Sequence, residues 1–377
     1  MPAMTCSMGK GPVCWPWCWM KIFMTEEARG FSPCFVSEAA GAGTRQGKSR
    51  GCGGTDASHF PSRFPQPGPI DAGFMNRRNF IGLSAAAVSL GPARAADAAE
   101  KPLIRFGLVT DVQYADADPE GERHFRESIP KLKDAVAWLA KQDLPFTLHL
   151  GDLIDRDFAS FDTILPLLEP LGHPVRHLLG NHDFTMADTD KARVAAKMGL
   201  PGDHYSFIHS GVKFVMMDTN DVSTYKYPAG NPRTLEAEVM LEKLVTEKFP
   251  GAKPWNGGVS PGQLAWLEKE LTAADAAGQP AIVCGHHPLL PDDPHLVWNR
   301  QEVLAVLDKH ACVRAFFNGH YHAGAEAVRN GVPFITFNSL LHEPGVTAYC
   351  AVRLHADRLE IEGHGREVTR TIPLKPA

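Results

Sequence analysis

From residue 101 onward, short apolar runs alternate with amphipathic stretches. Segments 103–109, 146–150, 175–179, 281–284 and 313–317 are mainly apolar and read as strands buried in a parallel sheet. Residues 122–141 place Ile129, Leu132, Val136 and Leu139 on one face at helical spacing. Shorter helices are predicted over 162–171 and 191–198. Ser260-Pro261 starts a helix running over 263–276, with Ser as the cap and Pro in the first turn. A further helix is predicted over 299–310. Segments 204–208 and 213–218 form a hairpin through Ser210-Gly211, and the tail carries strands over 323–328, 334–337, 348–354 and 359–364. This alternation predicts an α/β domain of two facing mixed sheets flanked by helices, with its chemistry on loops at one edge.

The first 95 residues break the pattern. Residues 1–74 are rich in Gly, Ser, Pro, Cys and Arg and show no sustained period. Residues 75–95 combine Arg77-Arg78, an apolar stretch from Phe80 to Leu90 and Ala93-Arg94-Ala95, the layout of a signal peptide with a twin-arginine export pattern. The apolar stretch is too short for a permanent membrane span. A leader belongs at the start of a protein, so translation is expected to begin at Met75, with residues 1–74 an untranslated or disordered extension. The functional domain is expected to occupy 96–377, exported to the periplasm without a stable membrane anchor.

Composition narrows the function. The 377 residues are 44% hydrophobic and 21% charged, with a net charge of −5. That suffices for a large core and argues against a nucleic-acid binder, which is usually basic. Cys284, Cys312 and Cys350, beside apolar runs, read as small buried hydrophobes rather than a disulfide framework.

The informative feature lies just past the ends of five of the strands: Asp111-Val112-Gln113, Gly151-Asp152-Leu153-Ile154-Asp155, Gly180-Asn181-His182-Asp183, Gly285-His286-His287 and Gly319-His320-Tyr321-His322. Asp, Asn and His gathered at strand ends in this order point to two divalent cations. Asp152, in a Gly-Asp turn, is the expected bridge. Asp111 and its i+2 neighbour Gln113 point the same way on an extended segment, and the Gln113 amide oxygen suits manganese or magnesium better than zinc. His320 and His322 share that spacing, and Asn181 and His286 complete the ligands of the second cation. Asp155 is expected to brace the turn, and Asp183 to orient His182. His124, His173, His177, His295, His310 and His355 read as surface residues.

This set resembles the calcineurin-like metallophosphoesterase superfamily over roughly residues 103–365. Gln113, where that superfamily normally has His, resembles the manganese-dependent ADP-ribose/CDP-alcohol diphosphatase family. Residues 123–128, Trp255-Asn256-Gly257-Gly258, Gln263-Leu264-Ala265-Trp266-Leu267, Val297-Trp298-Asn299 and Gly363-His364-Gly365-Arg366 are similar to that branch too. The resemblance implies a four-layer α/β/β/α sandwich. It implies that Asp111, Gln113, Asp152 and His322 hold one metal, and Asp152, Asn181, His286 and His320 the other. The metals expected are two Mn2+, with Fe, Zn or Mg as alternatives. His182 would act at the leaving group or the transition-state phosphate.

The reaction expected is hydrolysis of a phosphoanhydride in ADP-ribose or a CDP-alcohol. A water held between two cations loses its proton near neutral pH, against a pKa of about 15.7 in bulk. Arg126 is a candidate for the second phosphate through bidentate binding. Asn256 and Asn299 are candidate nucleotide contacts, and His342 could line the entry. Two alternatives are a phosphomonoesterase or phosphodiesterase on the same metals, and a non-catalytic exported metal-binding protein. The partner expected is a small nucleotide, and the sequence leaves oligomeric state open.

Overall fold

The structure is a computed structural model that describes residues 101–375. The extension and leader read over 1–95 lie outside the described residues. Among the described residues twelve strands form two six-stranded sheets: β1 (Ile104–Val109), β2 (Thr147–His149), β3 (Val175–His177), β4 (Tyr205–His209), β5 (Val212–Met216), β6 (Ala281–Cys284), β7 (Val313–Asn318), β8 (Ala325–Arg329), β9 (Val332–Thr336), β10 (Ala348–Leu354), β11 (Arg358–Gly365) and β12 (Arg370–Pro373). The first sheet has the order β12-β11-β10-β1-β2-β3, the second β4-β5-β6-β7-β9-β8. Strands β1, β2 and β3 pair in parallel, as do β5, β6, β7 and β9. The tail strands β10, β11 and β12 add to the first sheet antiparallel.

The two-residue period of each strand divides its side chains between layers. Phe106, Leu108, Leu148, Phe214, Met216, Ile282, Ala315, Phe317, Ile335 and Val352 fill the space between the sheets. On the far side of the first sheet, Leu132, Val136 and Leu139 of helix Ser128–Leu139 pack with Phe161, Ile164 and Leu171. On the far side of the second, Leu267 and Leu271 of helix Pro261–Ala276 meet Val303 and Leu307 of helix Arg300–Leu307. This is the expected α/β/β/α stack. The Ser260 side chain accepts from the Gln263 N–H, as the cap reading requires. Ser210 and Gly211 both have positive φ, 50° and 79°, as a tight hairpin turn between β4 and β5 demands. All three body cysteines are free and buried. Among the described residues no helix is long and apolar enough to cross a membrane.

Strand β12 has no counterpart in the expected tail, the helix expected over 162–171 is 3-10 from Leu165 to Leu171, and two further elements differ from expectation. Helix Pro232–Thr246 has no counterpart in the apolar pattern. Its cap signal, Asn231-Pro232, is present, but Leu235, Val239 and Val245 face outward and only Thr234 and Ala237 are buried, so no apolar stripe marks it. The first long helix begins at Ser128 rather than 122, because residues 120–124 are drawn into a bridged turn in which Glu120 and Arg123 exchange backbone hydrogen bonds. That turn bears on the site below.

Phe106 joins the two sheets: it stacks on Phe146 at 5.5 Å and meets the edge of Phe214 at 5.3 Å. Phe106→Ala should lower unfolding free energy by about 3–5 kcal/mol. Urea unfolding should show this as a lower midpoint at unchanged slope. An unchanged midpoint would remove Phe106 from the core assigned to it.

Candidate metal centre

The loops after β1, β2, β3, β6 and β7 meet at one edge of the sandwich. They are stitched by backbone hydrogen bonds, Asp111 N–H to Gly151 O, Gln113 N–H to Asp152 O and Gly319 N–H to His286 O. Close approach fixes two glycines. A Cβ on Gly180 would lie 2.1 Å from Asp152 Oδ1, and one on Gly319 would lie 2.1 Å from Thr110 Oγ1. Asp111, Gln113, Asp152 and His320 all adopt positive φ, from 43° to 67°. Non-glycine residues rarely do so, and such backbone strain gathers at functional sites.

The seven side chains read as ligands converge here. Ligand atoms of Asp111, Asp152 and His286 all lie within 4.8 Å of one another and are buried. His286 Nε2 is 3.3 Å from Asp152 Oδ2 and 3.1 Å from Asn181 Oδ1. Gln113 Nε2 donates to Asp152 Oδ2 at 2.9 Å and lies 3.1 Å from His322 Nε2. His322 Nε2 is 3.7 Å from Asp111 Oδ1. The His320 ring lies 5.0 Å from that of His286, and the His320 backbone N–H points at the Asp111 carboxylate, 3.2 Å away. The donors suit a hard divalent cation: carboxylates, an amide oxygen and imidazoles. Gln113 tests the fit: its Oε1 is buried with no hydrogen-bond partner, and turning the amide over brings that oxygen to the place of Nε2, beside Asp152 and His322. A buried carbonyl oxygen needs one, and a cation there would supply it.

Electrostatics agree. Burial, with Asp152 adding to it, pushes the Asp111 carboxyl up to about 6. Burial opposes the Asp152 charge, but His286 and then His182 outweigh it and hold that carboxyl well below the usual range. Burial would lower His286, yet Asp152 raises it to about 9. His320 and His322 are pushed well down, first by burial, which keeps them neutral and able to ligate. Two desolvated carboxylates in one pocket gain from added positive charge.

The roles expected of the two nearby carboxylates are exchanged. Asp155 Oδ2 stands 3.1 Å from His182 Nδ1, an ion-pair distance though the N–H is not aimed straight along it, and Asp155 Oδ1 accepts from Thr185 Oγ1. Asp183 does not reach His182. Its fully buried carboxylate accepts the backbone N–H groups of Asp152, Leu153, Ile154 and Gly180 at 2.8–3.2 Å. Asp183 therefore braces the turn and Asp155 orients His182.

The centre floors a cavity of about 770 Å3. Gln113, Asn181, His182, His320 and His322 line it, together with the neighbouring Arg123, Glu122 and His342 and with Tyr225, Trp255, Tyr321 and His295. The three expected substrate contacts lie elsewhere. Arg126 is half exposed on the surface, paired with Asp116 and Asp118. Asn299 accepts from the Val259 N–H and donates to Val259 O and Glu302, clamping a loop. Asn256 is fully buried against His320. Sequence reasoning missed Arg123, because a helix begun at 122 takes it out of the loop. It also missed His295, read as a surface residue, whose Nδ1 pairs with Asp293 and whose ring packs 4.9 Å from Tyr321. His177, His310 and His355 are buried rather than exposed, and His295 is half-buried. His342 lines the cavity and pairs with Glu122 at 2.9 Å.

Residues 104–324 match the family model described as calcineurin-like phosphoesterase. The chain is 30% identical to the manganese-dependent ADP-ribose/CDP-alcohol diphosphatase of Oryza sativa subsp. japonica, over 73% of this chain and 96% of that one. It is 26% identical to the protein of that name from Homo sapiens, over 75% and 96%. Among solved structures, a dimetal phosphatase from Danio rerio superposes with a TM-score of 0.66 at 26% identity, covering 73% of this chain and all of that one.

The exchange of roles separates two variants. Asp183→Ala strands buried N–H groups and should cost about 3 kcal/mol or more of unfolding free energy. Asp155→Asn keeps the shape and should change stability by less than about 1 kcal/mol, while kcat falls at least about tenfold as His182 loses its orientation. Urea unfolding beside steady-state kinetics checks both, and the reverse pattern would return each carboxylate to the role expected from sequence.

Proposed function

The chain belongs to the calcineurin-like phosphoesterase family and is a metal-dependent hydrolase, and from that premise we propose that it cleaves the phosphoanhydride of nucleoside-diphosphate-linked compounds such as ADP-ribose and CDP-alcohols. One observation carries the reading: Asp111, Asp152 and His286 converge beside the Gln113 amide, whose oxygen has no partner, and Gln113, Asn181, His320 and His322 line a cavity large enough for a nucleotide. The relatives' names, which specify manganese and these substrates, support the metal and the bond cleaved.

Asp111, Gln113, Asp152 and His322 would hold one cation, and Asp152, Asn181, His286 and His320 the second. Bound there, two Mn2+ ions would activate a water and neutralise charge on the phosphoryl oxygens. The remaining work falls to the protein. His182, raised by Asp152 and Asp155 against the opposing effect of burial, carries a proton into the cavity and can donate it to the departing oxygen. Arg123, on the wall beside it, takes the role expected of Arg126 and offers a guanidinium to the second phosphate. Trp255, Tyr225 and Tyr321 present aromatic surface for the base. The Arg77-Arg78 leader pattern supports export, which would make the enzyme a scavenger of external nucleotides.

Assays with Mn2+ on ADP-ribose, CDP-choline, a bis-aryl phosphate and an aryl monophosphate test the substrate class. We expect the two diphosphates to have the highest kcat/KM. His286→Ala should reduce turnover of both by more than the roughly 100-fold typical of losing a ligand's hydrogen-bond partner. Turnover of the monoester alone would overturn the proposal.

A further inference from the structure

Asn256 sits outside the ligand set, yet it touches one member in a defined way. It is fully buried on the segment that also carries Trp255 into the cavity wall. Its Nδ2 donates to two backbone carbonyls, Gly251 O at 2.9 Å and Pro294 O at 2.7 Å. Carbonyl oxygens only accept, so these two bonds fix which end of the amide is the nitrogen. The oxygen must then face the other way, and there it lies 2.8 Å from His320 Nε2. An amide oxygen only accepts, so Nε2 must carry a proton. A neutral imidazole protonated at Nε2 has its lone pair at Nδ1.

We propose that Asn256 is a positioning residue that locks His320 in the Nε2–H tautomer and makes Nδ1 its metal-ligating atom. His286 is set the opposite way. Its Nδ1 faces the Leu150 carbonyl at 2.8 Å and its Nε2 faces Asn181 and Asp152. The two histidines assigned to one cation thus present different ring nitrogens, each chosen by a backbone-anchored acceptor. Through Gly251 and Pro294 the same amide also staples the loops that carry Trp255 and His295 to the cavity.

The proposal rests on the centre binding two cations. Titration of the full chain with Mn2+, following bound metal per chain and its EPR signal, separates the two ideas. If the wild-type chain binds no Mn2+, the metal reading itself fails. Given two bound ions, Asn256→Ala should weaken one of them by about 10- to 100-fold. Asn256→Asp keeps an acceptor for His320 but loses both loop hydrogen bonds, and it should retain affinity within a few-fold. Wild-type affinity in Asn256→Ala, or equal weakening in Asn256→Asp, would reduce Asn256 to a loop staple. A measurement without variants gives the same answer: 15N shifts of the Mg2+-loaded wild-type chain should show His320 protonated at Nε2, and protonation at Nδ1 would overturn the proposal.

Discussion

Asp111 and Asp152 are withdrawn from water at the ends of adjacent parallel strands, and much of the surrounding structure serves to keep them there. Burying one unpaired carboxylate is expensive, and burying two side by side is worse. His286 offsets part of this for Asp152. The main-chain geometry supplies the rest of the constraint. Asp183 gathers four backbone N–H groups and so welds the turn after β2 to the turn after β3. The positive-φ conformations of Asp111 and Asp152 are tolerated because hydrogen bonds between loops hold them.

The two-sheet core makes this possible. Parallel strands β1, β2 and β3 of one sheet and β6 and β7 of the other end at the same edge, so each loop delivers one or two of the candidate ligands without long excursions. The aromatic contacts of Phe106, Phe146, Phe214 and Phe317 fix the spacing of the sheets. The placement of the candidate ligands is therefore inherited from core packing, whereas the cavity walls are built on loops 120–124, 254–256, 293–295 and 342.

Much of this is legible in residue order. Apolar runs ending in Asp, Asn or His locate the five strands, and the seven ligand candidates meet in one place. What residue order does not carry is orientation within turns. His182 and Asp183 share a 3-10 turn, where successive residues rotate by a third of a circle. Asp183 consequently points back at the strand ends and leaves His182 to Asp155. Spacing alone does not reveal that rotation. Arg126 stands in for Arg123 in the sequence reading because helical periodicity does not mark where the first turn begins. Asn256 and Asn299 resemble substrate contacts because polar loop residues near a site also serve to satisfy buried backbone groups. Helix Pro232–Thr246 escapes detection because its apolar residues face outward.

In the proposed reading Asp152 would bridge two cations. Anomalous diffraction from crystals grown with Mn2+ tests it directly. Two peaks should appear about 3.5–4 Å apart, with the Asp152 carboxylate between them, Asp111, Gln113 and His322 around one and Asn181, His286 and His320 around the other. A single peak, or two peaks with Asp152 touching neither, would contradict it.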